Sequence, residues 1–210
     1  VVGVQPFGGE GLSGTGPKAG GPHYLRRFRK EVAGQADQAF ATAQPVALKV
    51  VQDHLKIAGA KAWAERQDRV AILRKHLRGK ASSAITAAAA MDFGPVDLPG
   101  PTGEANTLSL HPRGIALCLG PDAETLLAQT VQALAAGCAV LAVGANASSA
   151  LNALTGKGLP LSVVDGGFDP EQLEKIGVDV VAFAGDEANM RALRRALAAR
   201  KGAIVPLISE

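Results

Sequence analysis

The apolar positions follow a clear pattern in the stretch His111–Asn146. Gly114–Leu119 is a short continuous apolar run, which predicts a buried strand. Gly120 and Pro121 break it. Leu126, Leu127, Val131, Leu134 and Ala135 then recur at helical spacing. Asp122 is placed to N-cap that helix, through Thr125 or Glu124. Gly137 stands where a C′ glycine ends a helix, and Ala139–Val143 is a second apolar run. Strand, helix and strand in this order predict a βαβ unit, because parallel neighbours need a long crossover.

The pattern continues downstream. Leu161–Asp165 reads as a strand, Pro170–Ile176 as a short helix and Val178–Phe183 as a strand. Asp186–Lys201 reads as a helix and Ala203–Leu207 as the last strand. Asp186 is a suitable N-cap and Gly202 a suitable C′ residue, with Arg200 and Lys201 complementing the helix C-terminus. The sequence thus predicts an α/β fold, a Rossmann-like doubly wound sheet of four or five parallel strands.

Upstream, Pro45–Gly79 reads as helices. Val46, Val50, Val51 and Leu55 form one stripe, with Pro45 suited to a first turn. Trp63, Val70, Leu73 and Leu77 form another, ended by Gly79, and Trp63 reads as a core anchor. Ser82 or Ser83 is placed to cap a third helix through Ala90. Asp92–Asn106 reads as a long Pro/Gly loop, and Leu108–Leu110 as a short strand. Val1–Arg27 is glycine-dense and reads as an irregular segment. Its Gly9–Gly14 matches GxGxxG, but Pro17, Gly20, Gly21 and Pro22 follow where a dinucleotide fingerprint needs a helix. Phe28–Gln44 is charge-rich and reads as a linker or a departing helix.

Composition changes this picture little. The 210 residues are 47% apolar but only 4% aromatic, so the core must be built from Ala, Val, Leu and Ile. The net charge of +3 is spread with alternating signs, a solvated face rather than a nucleic-acid footprint. Arg26, Arg27, Arg29 and Lys30, and the helix face of Arg191, Arg194 and Arg195, read the same way. Cys118 and Cys138 read as buried small hydrophobes without metal spacing, and a cytoplasmic compartment is the default. His54 and His76 read as surface residues. Thr125–Gly156 carries no charge, but Gln129, Gln132 and Gly137 interrupt any span of about 20 apolar residues, so no membrane span is expected. No signal peptide is visible, and a start at Val1 reads as an excised piece.

Two stretches carry a family resemblance. QPFGGEGLSGTGPKAGGPHYLRRF resembles the C-terminal end of an aldehyde dehydrogenase catalytic domain, most closely that of the bacterial proline utilization A (PutA) family. From about Trp63 onward the chain resembles the coenzyme-binding domain of the same superfamily. GPTGEANTLSLHPRGIALCLGP, ALAAGCAVLAV, VDVVAFAGDEANMRAL and KGAIVPLISE carry that likeness. It implies two parts, a catalytic-domain tail with linker over residues 1–32 and a dehydrogenase-like domain over 33–210. It also implies that Phe7 lines one wall of the aldehyde site, whereas the catalytic cysteine lies upstream of Val1.

Aligned on the ALAAG motif, the second stretch lacks the family's working residues. The oxyanion asparagine falls at Ala123, which has no N–H to donate; one such donor is worth about 10²–10³ in rate. The ribose-binding lysine falls at Val143 and the following glutamate at Asn146. The general-base glutamate falls at Pro206, and general acid–base help is typically about 10²–10⁴-fold. The serine facing the coenzyme pyrophosphate falls at Asp186, followed by Glu187, which places carboxylates where a phosphate would sit.

The resemblance therefore implies a non-catalytic domain of a long-form bifunctional enzyme, covering a substrate-channelling cavity and aiding assembly. No catalytic, cofactor or metal site is expected in this fragment. FAD and NAD belong to the parent, and a homo-oligomer is expected there. The partners implied are the parent's own proline dehydrogenase and aldehyde dehydrogenase domains. A nucleotide- or anion-binding regulatory module is the alternative. A free-standing dehydrogenase is the third reading, disfavoured by the missing nucleophile, base and oxyanion donor.

Overall fold

The computed structural model describes residues 5–9, 18–22, 24–25, 43–79, 81–91 and 94–209. Among these residues four α-helices come first, α1 (Leu48–His54), α2 (Ala60–Ala64), α3 (Arg69–Leu77) and α4 (Ser82–Ala89). A small ribbon follows, β1 (Val96–Leu98) and β2 (Asn106–Leu108). The remainder alternates: β3 (Ile115–Leu119), α5 (Ala123–Ala135), β4 (Ala139–Gly144), α6 (Ala147–Ala150) and β5 (Leu161–Asp165). A 3₁₀ turn (Pro170–Lys175), β6 (Val180–Phe183), α7 (Glu187–Ala199) and β7 (Leu207–Ser209) complete it.

The main sheet has five strands in the order β5-β4-β3-β6-β7, and every pair is parallel. The chain winds outward from β3 to β5, then returns to β6 beside β3 and winds the other way. This is the doubly wound arrangement expected from the sequence, with its switch point between β3 and β6.

Side-chain alternation along each strand supplies two cores. Ala116, Cys118, Val140, Ala142 and Val180 face one way and meet Trp63, Leu73, Leu77, Ile85, Val131 and Leu134. Leu117, Leu119, Leu141, Val143, Val181 and Phe183 face the other way and meet Val51, Leu173, Ile176, Leu193 and Val205. The first face is paved with small residues, so helices approach it closely and few aromatics are needed to fill the space.

The C-terminus of α5 is closed by several groups at once. Gly137, with φ 87°, donates to Leu134 O at 2.9 Å, and Cys138 N donates to Ala133 O at 3.0 Å, a Schellman motif. Trp63 Nε1 donates to Leu134 O at 2.8 Å, and buried Arg69 donates from Nε to Ala135 O at 2.9 Å. A cation is favourable at this end of a helix.

Several expectations require correction. The Asp92–Asn106 loop contains β1, whose Val96 pairs with Leu108; that register starts β2 at Asn106 rather than Leu108. Pro45 bridges to Gly167, and α1 begins only at Leu48. The residue before α4 is Ala81, at φ 53° with no side-chain cap, not a serine. α7 ends at Ala199, with Arg200 extended. Gly202 lies beyond the helix end, and Arg200 donates to Leu173 O and, at 2.8 Å, to Ile176 O instead of α7's own carbonyls. The chain is diverted by that contact, and the last strand forms at Leu207–Ser209 rather than Ala203–Leu207. His54 is half-buried with Nδ1 2.8 Å from Ser162 Oγ, so it joins α1 to β5 rather than facing solvent.

Candidate functional site: the carboxyl edge of the sheet

In an open doubly wound sheet, ligands bind beyond the carboxyl ends of the strands at the switch point. Here that edge is built from the turns after β3, β4 and β6 and the end of β5. Helix N-termini there present N–H groups and a positive dipole end, the usual requirement for holding a phosphate.

Each of these N-termini is met by a carboxylate of the chain. Asp122 Oδ1 accepts from Thr125 N at 2.9 Å, and its Oδ2 from Thr125 Oγ1 at 2.9 Å. Asp186 Oδ1 accepts from Asn189 N at 2.9 Å, and its Oδ2 from Asn189 Nδ2 at 2.6 Å. Asp165, at the end of β5, reaches across to α6 and accepts from Ser148 N at 2.8 Å. Hydrogen bonding from Ser148, first from its side chain and then from its backbone N–H, lowers the Asp165 carboxyl from its ordinary value. Asp122 and Asp186 act as the caps read from sequence; Asp165 was not singled out, because its partner lies across the β4–β5 connection.

The capping geometry predicts a measurable cost. Asp122→Ala leaves Thr125 N without its acceptor and should lower stability by about 1 kcal/mol. For a domain of this size the corresponding fall in Tm is about 2–4 °C, readable by thermal denaturation. An unchanged Tm would show that α5 does not depend on its cap.

The turn after β3 is also closed sterically. A Cβ on Gly120 would lie 2.4 Å from Leu126 N, and one on Gly144 would lie 3.2 Å from Leu126 Cδ2. Leu126 therefore occupies the space between the ends of β3 and β4. Ala123 is the first residue of α5. Val143 is 1% exposed within the second core. Asn146 precedes α6 and makes no side-chain cap. Glu187 pairs with Arg191 on the helix surface. Pro206 contributes only its carbonyl, which accepts from Val181 N at 3.0 Å.

Phe7 is 68% exposed. Its backbone exchanges hydrogen bonds with Ala19 at 2.7 and 2.8 Å. Lys18 Nζ clamps the carbonyls of Gly8 and Gly9 at 2.6 and 2.9 Å. Gln5 Nε2 donates to Asn106 Oδ1 on β2. The backbone beside the exposed ring of Phe7 is thus braced by Lys18 and Ala19. Most of the GxGxxG match, Arg26, Arg27, Arg29 and Lys30, and the boundary near residue 32 lie outside the described residues.

Cys118 and Cys138 are buried and not disulfide-bonded, and burial pushes the Cys138 thiol up. Among the described residues no group of three His, Cys, Asp or Glu side chains could hold a metal ion. None of their helices is long and apolar enough to cross a membrane.

The fold and its switch point define the class. A putative aldehyde dehydrogenase of Bacillus subtilis matches 87% of this chain and 52% of its own, at 18% identity and a TM-score of 0.61. A crystallised variant of Bradyrhizobium japonicum proline utilization A matches 83% of this chain and 23% of its own, at 24% identity and a TM-score of 0.66. These likenesses are of fold, that of the aldehyde dehydrogenases.

Sequence narrows the class. The bifunctional protein PutA of Escherichia coli K12 is 40% identical over 216 residues, 98% of this chain. That of Rhizobium meliloti is 33% identical over the same share. The chain belongs to the PutA family, as an aldehyde dehydrogenase-like region. It spans 15% of the length of these relatives. No family model matches it.

Proposed function

We propose that this region is a catalytically inactive aldehyde dehydrogenase-like domain of a bifunctional proline-catabolic enzyme. Its role is to cover the cavity through which the proline-derived intermediate passes, and to aid assembly. Residues 1–32 are the tail of the catalytic domain with its linker, and residues 33–210 the inactive domain. In the whole enzyme FAD serves proline oxidation and NAD serves oxidation of the semialdehyde to glutamate. Phe7 lines the aldehyde site from this tail.

The observation that carries the reading is the set of self-capped helix N-termini. Asp122, Asp165 and Asp186 each already hold one backbone N–H group at the edge where a coenzyme would bind. A pyrophosphate there would meet carboxylates instead of free donors, so these residues do not fit NAD. Ala123, Val143 and Pro206 offer no side-chain donor, cation or base. The same pairing disfavours a nucleotide-binding module at this edge.

The test uses a full-length PutA enzyme, intact and truncated after the residue equivalent to Phe28, with NADH production followed from proline. The expected result is a lag or a reduced coupled rate in the truncated enzyme while proline oxidation is retained. Superimposable progress curves would overturn the covering role. Independently, a ligand at 100 times its Kd stabilises by about 2.7 kcal/mol; millimolar NAD is expected to leave the Tm of the isolated chain unchanged, and a saturable rise would overturn the inactive-coenzyme-site reading.

A further inference from the structure

A second concavity lies away from that edge. It is an open groove of about 410 Å³ between the C-terminal turn of α3 and the connection after α6, a volume within the ~300–1,000 Å³ typical of small-molecule sites. Lys75, His76, Arg78, Asn152 and Lys157 line it, and no acidic residue does. Among the described residues, Lys75, Arg78 and Lys157 form no ion pair.

Basic residues in the last turn of a helix are favoured by its dipole, and that accounts for Lys75 and His76. It does not account for Lys157, which comes from a different part of the chain. Lys157 stands between Gly156 and Gly158, at φ 69° and 71°. A Cβ on either glycine would meet nothing, so the glycines serve the turn that carries the lysine rather than packing. Nor does the dipole account for the backbone of Arg78. It ends α3 in the left-handed region, at φ 45° and ψ 47°, where glycine is the low-energy choice. Strain of this kind at a charged side chain points to a use for that side chain.

We propose that this groove binds a small polyanion, a molecule bearing two or more phosphate or carboxylate groups. Arg78 and Lys157 grip it from opposite sides, and Lys75, His76 and Asn152 complete the shell. A guanidinium pairs with two oxygens of one phosphate or carboxylate, while the ammonium groups act as point charges. The groove is separate from the sheet's carboxyl edge, so the inference does not rest on the covering role.

The test measures binding of inorganic pyrophosphate and of citrate to the chain by titration calorimetry, at ionic strength matched with chloride. Saturable binding of one or both is expected. Pyrophosphate alone identifies phosphorylated ligands, citrate alone identifies polycarboxylates, and both together identify an anion site indifferent to the group. Arg78→Gly should weaken binding at least about tenfold, which is 1.4 kcal/mol. The same substitution should raise the anion-free Tm by about 2–4 °C, because glycine relieves the left-handed backbone. Loss of binding in a more stable protein cannot be attributed to misfolding. Lys157→Gln should weaken binding as well, and Arg194→Gln on the basic face of α7 should not. Absence of binding to the unaltered chain, or equal binding by all variants, would overturn the proposal.

Discussion

Gly120→Ala is expected to destabilise the chain by ~3 kcal/mol or more, the upper range for overpacking. The added Cβ would lie 2.4 Å from Leu126 N and 2.6 Å from Leu126 Cα. Those are backbone atoms in the first turn of α5, so no rotamer change makes room. Leu126 is 2% exposed and already touches the end of β4, so relief requires the whole of α5 to lift from β3. Gly177→Ala is the matched control: it has open space around its Cβ and no left-handed φ. That substitution should be neutral or stabilising by up to about 1 kcal/mol, through reduced freedom of the unfolded chain. Urea midpoints of the two variants would decide it. Equal midpoints would mean that α5 tolerates displacement and that the β3 turn is not the tight junction described.

Trp63→Ala should cost about 3–5 kcal/mol, the range for emptying a large aromatic site. Trp63 is 5% exposed and connects α2 to both the first core and the end of α5. The loss is mostly of packing. Leu134 O keeps its bond from Gly137 N at 2.9 Å, so removing the indole N–H leaves no orphaned carbonyl. Trp63→Phe, which keeps most of the bulk, should therefore cost much less, near the ~1 kcal/mol of one hydrogen bond. The chain has a single tryptophan, so unfolding of these variants is best followed by circular dichroism. A loss below 1 kcal/mol in the alanine variant would show that helices α2–α4 contribute little to holding the sheet together. Against a typical total of about 5–15 kcal/mol, either of these two substitutions removes a large fraction of the stability.

Most of the parallel sheet was legible because β3, β4 and β6 are unbroken apolar runs followed closely by glycine or proline. Leu161–Asp165 matches the sequence reading residue for residue, and β3, β4 and β6 differ only at their ends. What could not be read depends on contacts between distant residues. β1 has three residues, too few for a period, and exists only because β2 pairs with it. β7 is displaced because Arg200 turns toward the 3₁₀ segment, a contact that no local pattern encodes. The candidate site divides the same way. Asp122 and Asp186 cap helices that follow them directly and were visible. Asp165 caps a helix that precedes it by 17 residues, and it becomes recognisable only once β4 and β5 lie side by side.

The self-capped edge has a consequence for how the domain persists. A sheet that relies on bound coenzyme to satisfy its helix N-termini is stabilised by mass action, and its folded population follows the free ligand concentration. Here the negative groups are attached to the chain, so their effective concentration is fixed by covalent geometry. The anchoring of α5, α6 and α7 is then constant whether the surrounding coenzyme pool is full or depleted.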